Sequence, residues 1–486
     1  MDKAALGAIL KQHFGFDSFR PGQEAVLDHL LHSQDTLAVL PTGAGKTLIY
    51  QMYGLIQKRP IVIISPLLSL MQDQVSRLQY LGAKRSIAIN STLSWQQKNA
   101  VLQNLNYYQY VYISPEMLSQ PDVIKTFQAI NIGLVVIDEA HCISQWGPDF
   151  RPEYLNLKTI LQQLGQPLTL MLTATASKAT RQDIIEKLGL TGQVYLVVES
   201  IDRPNIYLSV RKSMDEDDKQ TQLLHLVQRI RPPGIIYFLS RKLATQMALM
   251  LRQKTNLRIA AYHSDLATED RFKIQHQFMN DQLDIICATS AFGMGIDKND
   301  IRFVIHYHLP ADVESYMQEI GRAGRDGKQS IAILLYRDGD EAIPANLALN
   351  NIPDADVIRA FYRRPEQLAK LADQDEQARL LTYYWQHGYE ASQLIELFQT
   401  RYQNQRTALY HLLEYVNVDG CRRKRLLGYF DQTAPPHNDQ CCDFHATQLP
   451  IDALGLSIPE ASSQDQSELD WRIIIKKLFK NDDENA

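Results

Sequence analysis

Short apolar runs alternate with amphipathic stretches over most of the first two hundred residues, and this alternation limits the fold more than any other feature of the chain. Strand-sized apolar runs separated by helical patterns are typical of a parallel β-sheet covered by helices. The functional loops of such a sheet leave the carboxyl ends of its strands. Strands are predicted in this part of the chain at residues 36–40, 61–65, 85–89, 110–114, 134–138 and 169–173.

A second series of strands is predicted further along the chain, at residues 234–239, 259–263, 285–289, 303–307 and 331–336. We place the boundary between the two series at residues 200–205. Beyond residue 336 the apolar period becomes helical, with helices predicted at 373–386, 390–402 and 406–416. The sequence therefore predicts an α/β protein with two parallel-sheet domains in tandem, residues 1–203 and 204–339. A helical module (340–446) and a linker with a C-terminal tail (447–486) follow.

Composition and charge exclude several classes of protein. The chain has 486 residues, with 50 lysine and arginine residues against 55 aspartate and glutamate residues and a net charge of −5. The chain as a whole is not positively charged, so a nucleic-acid partner would have to bind in a local basic groove. No apolar run approaches the roughly 18 residues that cross a bilayer, and the first residues lack the pattern of a secretory signal. We expect a soluble cytoplasmic protein with no membrane partner.

A glycine-containing loop at residues 40–47 follows the first predicted strand and precedes a helix. Its glycines allow backbone N–H groups to surround phosphate oxygens, and the helix N-terminus adds partial positive charge. Lys46 would reach the β- and γ-phosphates, and the Thr47 hydroxyl would bind Mg²⁺. Leu40 stands where the general pattern has its first glycine. The expected nucleotide contacts are Thr42, Gly43, Ala44, Gly45, Lys46 and Thr47.

An acidic pair, Asp138 and Glu139, ends the predicted strand at 134–138. Two carboxylates that leave a buried strand are costly unless they meet a cation. Asp138 is placed to bind Mg²⁺ and Glu139 to polarise the attacking water. Together with the phosphate loop, the pair indicates a nucleoside triphosphatase.

The second sheet contributes Arg322 and Arg325, which we expect to share one helix face. Planar cations stabilise the charge that develops on the γ-phosphate during hydrolysis. On their own these arginines would indicate only the solvent-exposed, basic first turn of a helix. Combined with the acidic pair and the phosphate loop, they complete a candidate hydrolytic site.

With these residues together, the chain resembles superfamily 2 helicases and, within them, the RecQ family of DNA helicases. The most specific element is residues 141–154, His-Cys-Ile-Ser-Gln-Trp-Gly-Pro-Asp-Phe-Arg-Pro-Glu-Tyr. In the family, an aromatic-rich loop here couples single-stranded DNA to ATP hydrolysis. Trp146 and Phe150 would stack on bases and Arg151 would bind phosphate; the alternative is an apolar plug between domains. Pro148 replaces the histidine that the family usually has.

The resemblance also implies further nucleotide and DNA contacts. Residues 14–23 are similar to the adenine-recognising motif of the family, in which Arg20 would stack on the ring and Gln23 would hydrogen-bond its edge. In the second sheet, Asp297 would approach the ribose. Thr289 and Ser290 would bind DNA phosphates, which position a strand without reading its sequence.

Three of the five cysteines cluster near the C-terminus, a pattern that in a reducing compartment indicates a metal site. The RecQ resemblance implies a four-ligand zinc module here. Cys421, Cys442 and His445 are the expected ligands. The fourth ligand is left open between Cys441 and the two alternatives His437 and Asp439, because adjacent cysteines on one ion strain the backbone. The alternative to a metal site is a group of free buried thiols.

The resemblance implies two RecA-like domains that bind Mg-ATP between them, Zn²⁺ in the helical module, and movement from 3′ to 5′ on DNA in recombination and repair. Expected partners are single-stranded DNA, forked duplex DNA and repair proteins, with a monomer in the bacterial cytoplasm associated with the nucleoid. The 41 residues after His445 are too few for the family's winged-helix domain, and an amphipathic stretch at 471–480 is expected to dock on the body. An RNA unwindase and an ATP-switched DNA-binding or strand-annealing protein remain as alternatives.

Overall fold

The structure is a computed structural model that describes residues 3–66, 68–90, 92–144, 154, 156–190, 192–293, 298–372, 375–446 and 448–458. It contains two parallel sheets followed by a helical region. The predicted α/β class with two tandem RecA-like domains and a helical module is confirmed. Within the described ranges, no helix is long and apolar enough to cross a membrane.

The first sheet has seven parallel strands in the order β3-β4-β2-β5-β6-β1-β7. Six of them match the predicted strands closely, and β7 was not predicted. The strands are β1 (Thr36–Val39), β2 (Ile61–Ile64), β3 (Ser86–Ile89), β4 (Tyr110–Ile113), β5 (Leu134–Ile137), β6 (Thr169–Thr173) and β7 (Tyr195–Val198).

Helices cover both faces of this sheet because successive side chains of a strand point to opposite faces. In β2, Ile61 and Ile63 pack into one apolar cluster, and Val62 and Ile64 pack into the other. The first face is covered by α1 (Lys3–Phe14), α2 (Gln23–Leu31), α3 (Lys46–Gln57) and α4 (Leu68–Tyr80). The second is covered by α5 (Trp95–Gln103), α6 (Pro115–Leu118), α7 (Pro121–Gln128), α8 (Leu157–Gln163) and α9 (Lys178–Leu188).

The second sheet has six parallel strands in the order β10-β11-β9-β12-β13-β8. Its first strand was not predicted, because its second half is polar and charged. The strands are β8 (Ile206–Ser213), β9 (Gly234–Tyr237), β10 (Ile259–Tyr262), β11 (Ile285–Ala288), β12 (Phe303–His306) and β13 (Ser330–Arg337). Its helices are α10 (Glu216–Arg229), α11 (Arg241–Lys254), α12 (Thr268–Met279) and α13 (Val313–Ile320).

The helical region comprises α14 (Ala342–Asn351), α15 (Ala355–Arg363), α16 (Pro365–Leu368), α17 (Glu376–Gln386), α18 (Ala391–Val416) and α19 (Arg422–Tyr429). One helix, α18, replaces the two helices predicted at 390–402 and 406–416. The polar residues between those two segments contain neither glycine nor proline, so nothing in them ends the helix.

Helix α18 belongs to two apolar clusters. Its first half, with Leu394 and Phe398, packs against α15 and α17. Its second half, with Leu412 and Tyr415, packs with α19 on one face of the second sheet. The end of the helical module is therefore part of the core of the second domain.

The segment 448–458 packs on the opposite face of the second sheet. Ile451, Leu454 and Leu456 are buried there against α10 and α11. Ser457 forms an antiparallel bridge with Ile230, and the N–H of Arg231 donates to the Leu456 carbonyl at 2.7 Å. The predicted amphipathic stretch at 471–480 lies outside the described residues.

Candidate active site and metal cluster

The phosphate loop connects β1 to α3, as the sequence predicts. Gly43 (φ 83°) and Gly45 (φ 73°) both adopt the left-handed conformation that favours glycine. Lys46 is the first residue of α3, so its ammonium group extends from a helix N-terminus. The loop therefore has the backbone conformation and the charge expected of an anion-binding turn.

Leu40 takes a structural role where the general loop pattern has glycine. Its side chain is fully buried, and its N–H donates to the Thr173 carbonyl at 3.0 Å. The space it occupies exists because residue 22 is glycine, since a Cβ there would lie 2.5 Å from the Leu40 Cδ2. Gly22 also has a φ of 80°.

Gly22→Ala is therefore expected to destabilise the first domain by about 1–3 kcal/mol, through left-handed strain and the clash with Leu40. The midpoint of urea unfolding measures this loss. Gly7→Ala is the matched control, because Gly7 lies within α1 with open space around it. That control should be neutral or stabilising by up to about 1 kcal/mol. Equal effects of the two variants would contradict the packing argument.

Arg20 and Gln23 contact the phosphate loop itself. The Gln23 Nε2 donates to the carbonyls of Ala44 (2.8 Å) and Gly45 (3.1 Å), and its Oε1 accepts from the N–H of Arg20 at 2.9 Å. The Arg20 guanidinium donates to the Gly43 carbonyl. The sequence placed these two residues at the adenine and did not predict that they brace the loop.

The acidic pair follows β5 in the same cleft. The Asp138 Oδ1 accepts from the N–H of Glu139 at 3.0 Å, and Glu139 has a left-handed backbone, with φ 49° and ψ 49°. A non-glycine residue in this region is strained by about 1–3 kcal/mol, and such strain is concentrated at functional sites. The strain is consistent with a side chain held in a set direction.

Burial and neighbouring charges shift the pKa values of the two carboxyl groups in opposite directions. Burial, with the charge of Glu139 adding to it, raises the pKa of Asp138 to about 6. Burial would also raise the pKa of Glu139, but the nearby cations Lys46, Arg322 and Arg325, together with His141, outweigh it and lower that pKa. Glu139 therefore loses its proton at a lower pH than Asp138 does.

His141 is a site residue that the sequence analysis did not assign. Its Nδ1 lies 3.0 Å from the Thr173 Oγ1 and 3.4 Å from the Glu139 Oε2, and burial lowers its pKa. The Thr173 hydroxyl in turn donates to the Thr175 carbonyl at 3.0 Å. His141 thus lies between Glu139 and the loop after β6.

Arg322 and Arg325 reach the cleft from the second domain. They lie in the turn at residues 321–325, beyond the end of α13, so the prediction that they share a helix face is wrong. Glycines at 321 and 324 end the helical geometry; Gly324 has a φ of 55°. Arg322 is buried and donates to the Gly293 carbonyl.

The turn at 321–325 touches the phosphate loop directly. The Thr42 hydroxyl donates to the Gly321 carbonyl at 2.9 Å. A Cβ on Gly43 would lie 3.8 Å from the Arg325 Cγ. The structure therefore brings Lys46, the acidic pair and both arginines to one cleft between the two sheets.

The remaining expected contacts are divided between described and undescribed parts of the chain. Thr289 and Ser290 follow β11, and Thr289 is largely buried while Ser290 is exposed. Their role towards DNA stays a prediction. Other expected site residues lie outside the described residues, namely Trp146, Phe150, Arg151 and Asp297, and so does Pro148.

Four side chains gather near the end of the helical module. Ligand atoms of Cys421, His437, Cys441 and Cys442 all lie within 4.8 Å of one another. The Cys421 sulfur is 3.6 Å from that of Cys441 and 3.8 Å from that of Cys442, which is 3.8 Å from the His437 Nδ1. Sulfurs on a tetrahedral zinc at about 2.3 Å are separated by about 3.8 Å. The four donors therefore fit zinc.

His445 is not part of this group, which corrects the expected ligand set, and Asp439 is not part of it either. His445 is exposed, and its ring packs on Phe444 with the centroids 3.7 Å apart. The backbone of the two adjacent cysteines runs beside β8. The Leu208 N–H donates to the Cys441 carbonyl at 3.2 Å, and the Asp443 N–H donates to the Leu208 carbonyl at 3.0 Å.

The cluster also favours a thiolate. The hydrogen bond with Cys441 lowers the pKa of Cys442 to about 5, against the effect of burial, and N–H groups of Phe444 and Arg422 add to the lowering. The same hydrogen bond raises the pKa of Cys441. Metal ligation by cysteine requires the thiolate, so this environment suits a metal site.

Comparison with known proteins agrees with this geometry. Sequence profiles match a DEAD/DEAH box helicase domain at residues 20–184, a helicase conserved C-terminal domain at 218–327 and a RecQ zinc-binding domain at 385–446. The chain is 42% identical over 452 residues to the probable ATP-dependent DNA helicase RecS of Bacillus subtilis, covering 90% of this chain and 91% of that one. It is 37% identical over 391 residues to the ATP-dependent DNA helicase RecQ of Haemophilus influenzae, covering 80% of this chain and 62% of that one.

Among solved structures, the fold is similar to that of the DUF1998 helicase MrfA bound to DNA, with a TM-score of 0.59. The two share 18% sequence identity, and the match covers 70% of this chain and 51% of the other. At that identity the likeness concerns the fold alone. From its sequence relatives and its three matched domains, the chain belongs to the RecQ family of ATP-dependent DNA helicases.

Proposed function

We propose that the protein unwinds DNA from 3′ to 5′, using Mg-ATP hydrolysis in the cleft between its two sheets, in the context of recombination and repair. One observation carries this proposal. The Thr42 hydroxyl bonds to the Gly321 carbonyl, which joins the phosphate loop of the first domain to the arginine-bearing turn of the second. A site built from two domains can convert phosphate chemistry into relative domain movement.

Within the cleft each residue has a proposed task. Lys46 and the N–H groups of the loop bind the β- and γ-phosphates, and Thr47 and Asp138 hold Mg²⁺, which when bound offsets phosphate charge. Glu139, whose low pKa keeps it ionised, orients the attacking water and accepts its proton. Arg322 and Arg325 stabilise the charge that builds on the transferred γ-phosphoryl group.

The proposed partner is DNA, as single strands and forked duplexes. Relatives named as DNA helicases support this proposal. Thr289 and Ser290 are proposed to hold backbone phosphates, with Trp146 and Phe150 stacking on bases and Arg151 binding phosphate. The protein is proposed to act as a monomer.

Zinc is proposed to bind Cys421, His437, Cys441 and Cys442. Cys421 precedes α19, and the adjacent cysteines lie beside β8, so one ion would tie the last helix of the module to the edge of the second sheet. Four soft or borderline donors with no open position are typical of a structural site.

We further propose four working parts, residues 1–203, 204–339, 340–446 and 447–486. The first sheet ends at Val198 and the second begins at Ile206, which supports the first division. Strand β13 ends at Arg337, which supports the second. Residues 448–458 pack on the second sheet, so the start of the last part is attached to the second domain.

Strand separation tests the proposed function. Labelled duplexes with a 3′ tail, a 5′ tail or a fork are incubated with protein and Mg-ATP. We expect separation of the 3′-tailed and forked duplexes, and none of it with Glu139→Gln, which keeps the shape of the side chain. Separation of the 5′-tailed duplex alone would contradict the proposed polarity and indicate movement from 5′ to 3′. Annealing without ATP-dependent separation would replace the proposal with a DNA-binding protein.

Trp146→Ala is expected to reduce the stimulation of ATP hydrolysis by DNA by about 10-fold or more, from the loss of about 1–3 kcal/mol of base stacking. The basal rate should change by less than about twofold. Hydrolysis with and without single-stranded DNA measures both quantities. Trp95→Ala is the matched control, because Trp95 is 77% exposed at the start of α5. Equal losses of basal and stimulated rates would argue against coupling.

A further inference from the structure

The segment at residues 200–205 carries the chain from the first sheet to the second and contains Arg203. The Arg203 Nη1 donates to the Gly321 carbonyl at 3.1 Å. Its Nη2 donates to the carbonyls of Ala323 and Gly324 at 2.9 and 2.6 Å. These three carbonyls flank Arg322 and precede Arg325, so one guanidinium holds the backbone on which both arginines stand.

The turn at 321–325 is held from other directions as well. The Asn205 Nδ2 donates to the Gly324 carbonyl at 2.8 Å, and the Gly324 N–H donates to the Ile301 carbonyl at 2.8 Å. The Gly321 carbonyl accepts from both Arg203 and Thr42. Because Gly321 and Gly324 leave this backbone intrinsically free, its position depends on these contacts.

Arg203 is held in turn by Arg423 of helix α19, which is 4% exposed. The Arg423 Nη1 donates to the Arg203 carbonyl at 2.9 Å and to the Asp202 carboxylate. Its Nη2 donates to the carbonyls of Ile206 (2.5 Å) and Cys441 (3.3 Å). Its Nε donates to the Cys441 sulfur at 3.4 Å. All five N–H groups of this guanidinium therefore meet an acceptor.

These contacts form one continuous series from the cysteine cluster to the hydrolytic cleft. Cys441 fixes Arg423, Arg423 fixes the backbone of residues 202 and 203, and Arg203 fixes the turn at 321–325. A displacement of about 1 Å at a catalytic group can cost about 100-fold in rate. The last member of the series, Arg203, contacts the backbone that carries two residues of the cleft.

We propose that Arg203 is a positioning residue for Arg322 and Arg325, and that Arg423 holds it in place from the metal-binding module. The inference rests on the proposed function, in which the two arginines stabilise the transition state. Arg203 makes its contacts with the second domain, whereas nucleotide phosphates are bound by the loop of the first. Loss of Arg203 should therefore reduce kcat and leave ground-state nucleotide binding in place.

The test compares wild type, Arg203→Gln, Arg203→Lys and Arg423→Gln in steady-state ATP hydrolysis at saturating single-stranded DNA. Binding of a non-hydrolysable ATP analogue, zinc content and the thermal midpoint are measured on the same samples. Arg252→Gln in α11 and Arg406→Gln in α18 are matched controls, since each removes one exposed arginine, the first from the second domain and the second from the helical module. Arg203→Lys keeps the charge but cannot reach three carbonyls, so it serves if Arg203→Gln does not fold.

We expect kcat to fall by about 10- to 100-fold in the Arg203 variants and by about 10-fold in Arg423→Gln. KM, analogue affinity and zinc content should stay within about twofold of wild type, as should all values of the controls. Unchanged kcat would overturn the inference. A parallel loss of kcat, analogue affinity and thermal midpoint would also overturn it, because that pattern indicates a purely structural role.

Failure of the proposed function would give a different pattern of hydrolysis rates in the same set of variants. Lys46→Ala supplies the reference for a protein without a phosphate site. If wild type hydrolyses ATP no faster than Lys46→Ala, the proposed function fails. If wild type hydrolyses ATP and the Arg203 variants match it, only the positioning inference fails.

Discussion

Lys46→Ala is expected to lower kcat for ATP hydrolysis by about 100- to 1,000-fold, the largest effect of any single change in the cleft. Lys46 begins α3 at the end of the phosphate loop, and its charge acts on both Asp138 and Glu139. Its removal takes away the cation that meets the γ-phosphate and also weakens the preference of Glu139 for the ionised form. Hydrolysis at saturating ATP and DNA measures the loss.

Lys58→Asn is the control for this experiment. Lys58 caps the other end of the same helix in a left-handed conformation, with φ 53°, which asparagine tolerates. This variant removes one positive charge from the helix without touching the loop, so kcat should stay within about twofold of wild type. Turnover retained by Lys46→Ala would mean that the phosphate site lies elsewhere in the chain.

His437→Asn is expected to abolish stoichiometric zinc binding, whereas His445→Asn should leave it at wild-type level. His437 contributes a nitrogen to the four-donor group, and His445 is exposed outside it. His445 also has a left-handed backbone, with φ 73°, so asparagine suits that position. Zinc content after dialysis against a weak chelator distinguishes the two histidines.

Loss of the metal should also lower the thermal midpoint, because the cluster joins α19 to the edge of the second sheet. Structural zinc contributes about 10–16 kcal/mol of apparent binding free energy in small metal-dependent modules, so a drop of many degrees is expected. Asp439→Asn is a second control, since Asp439 is exposed outside the group. Zinc loss in His445→Asn with retention in His437→Asn would contradict the ligand assignment.

Much of the fold could be predicted because buried parallel strands are short, apolar and separated by helices. Strands such as β2 and β5 consist entirely of branched apolar residues, and their bounds agree with the prediction to within one residue. Strand β7 was missed because it lies at the edge of the sheet and is largely exposed. Strand β8 was missed because its second half is charged while its first half is buried.

The candidate site was predictable where local spacing carries the chemistry. The phosphate loop and the acidic pair are contiguous in sequence, so their residue types alone indicate a nucleotide site. The presence of His437 and not His445 among the four donors is a property of the folded chain that local spacing does not show. The same holds for His141 and Arg203, whose partners come from other strands and turns.

The most direct test of the account is the rate of ATP hydrolysis at fixed salt with no nucleic acid, with single-stranded DNA and with RNA. The proposed function predicts that DNA strongly stimulates hydrolysis and that RNA stimulates it little. Neither nucleic acid should stimulate hydrolysis by Lys46→Ala. Stimulation by DNA would also show that Pro148 is compatible with coupling. Equal stimulation by RNA would contradict the assignment to DNA, and an unstimulated rate with both would contradict coupling of nucleic acid to hydrolysis altogether.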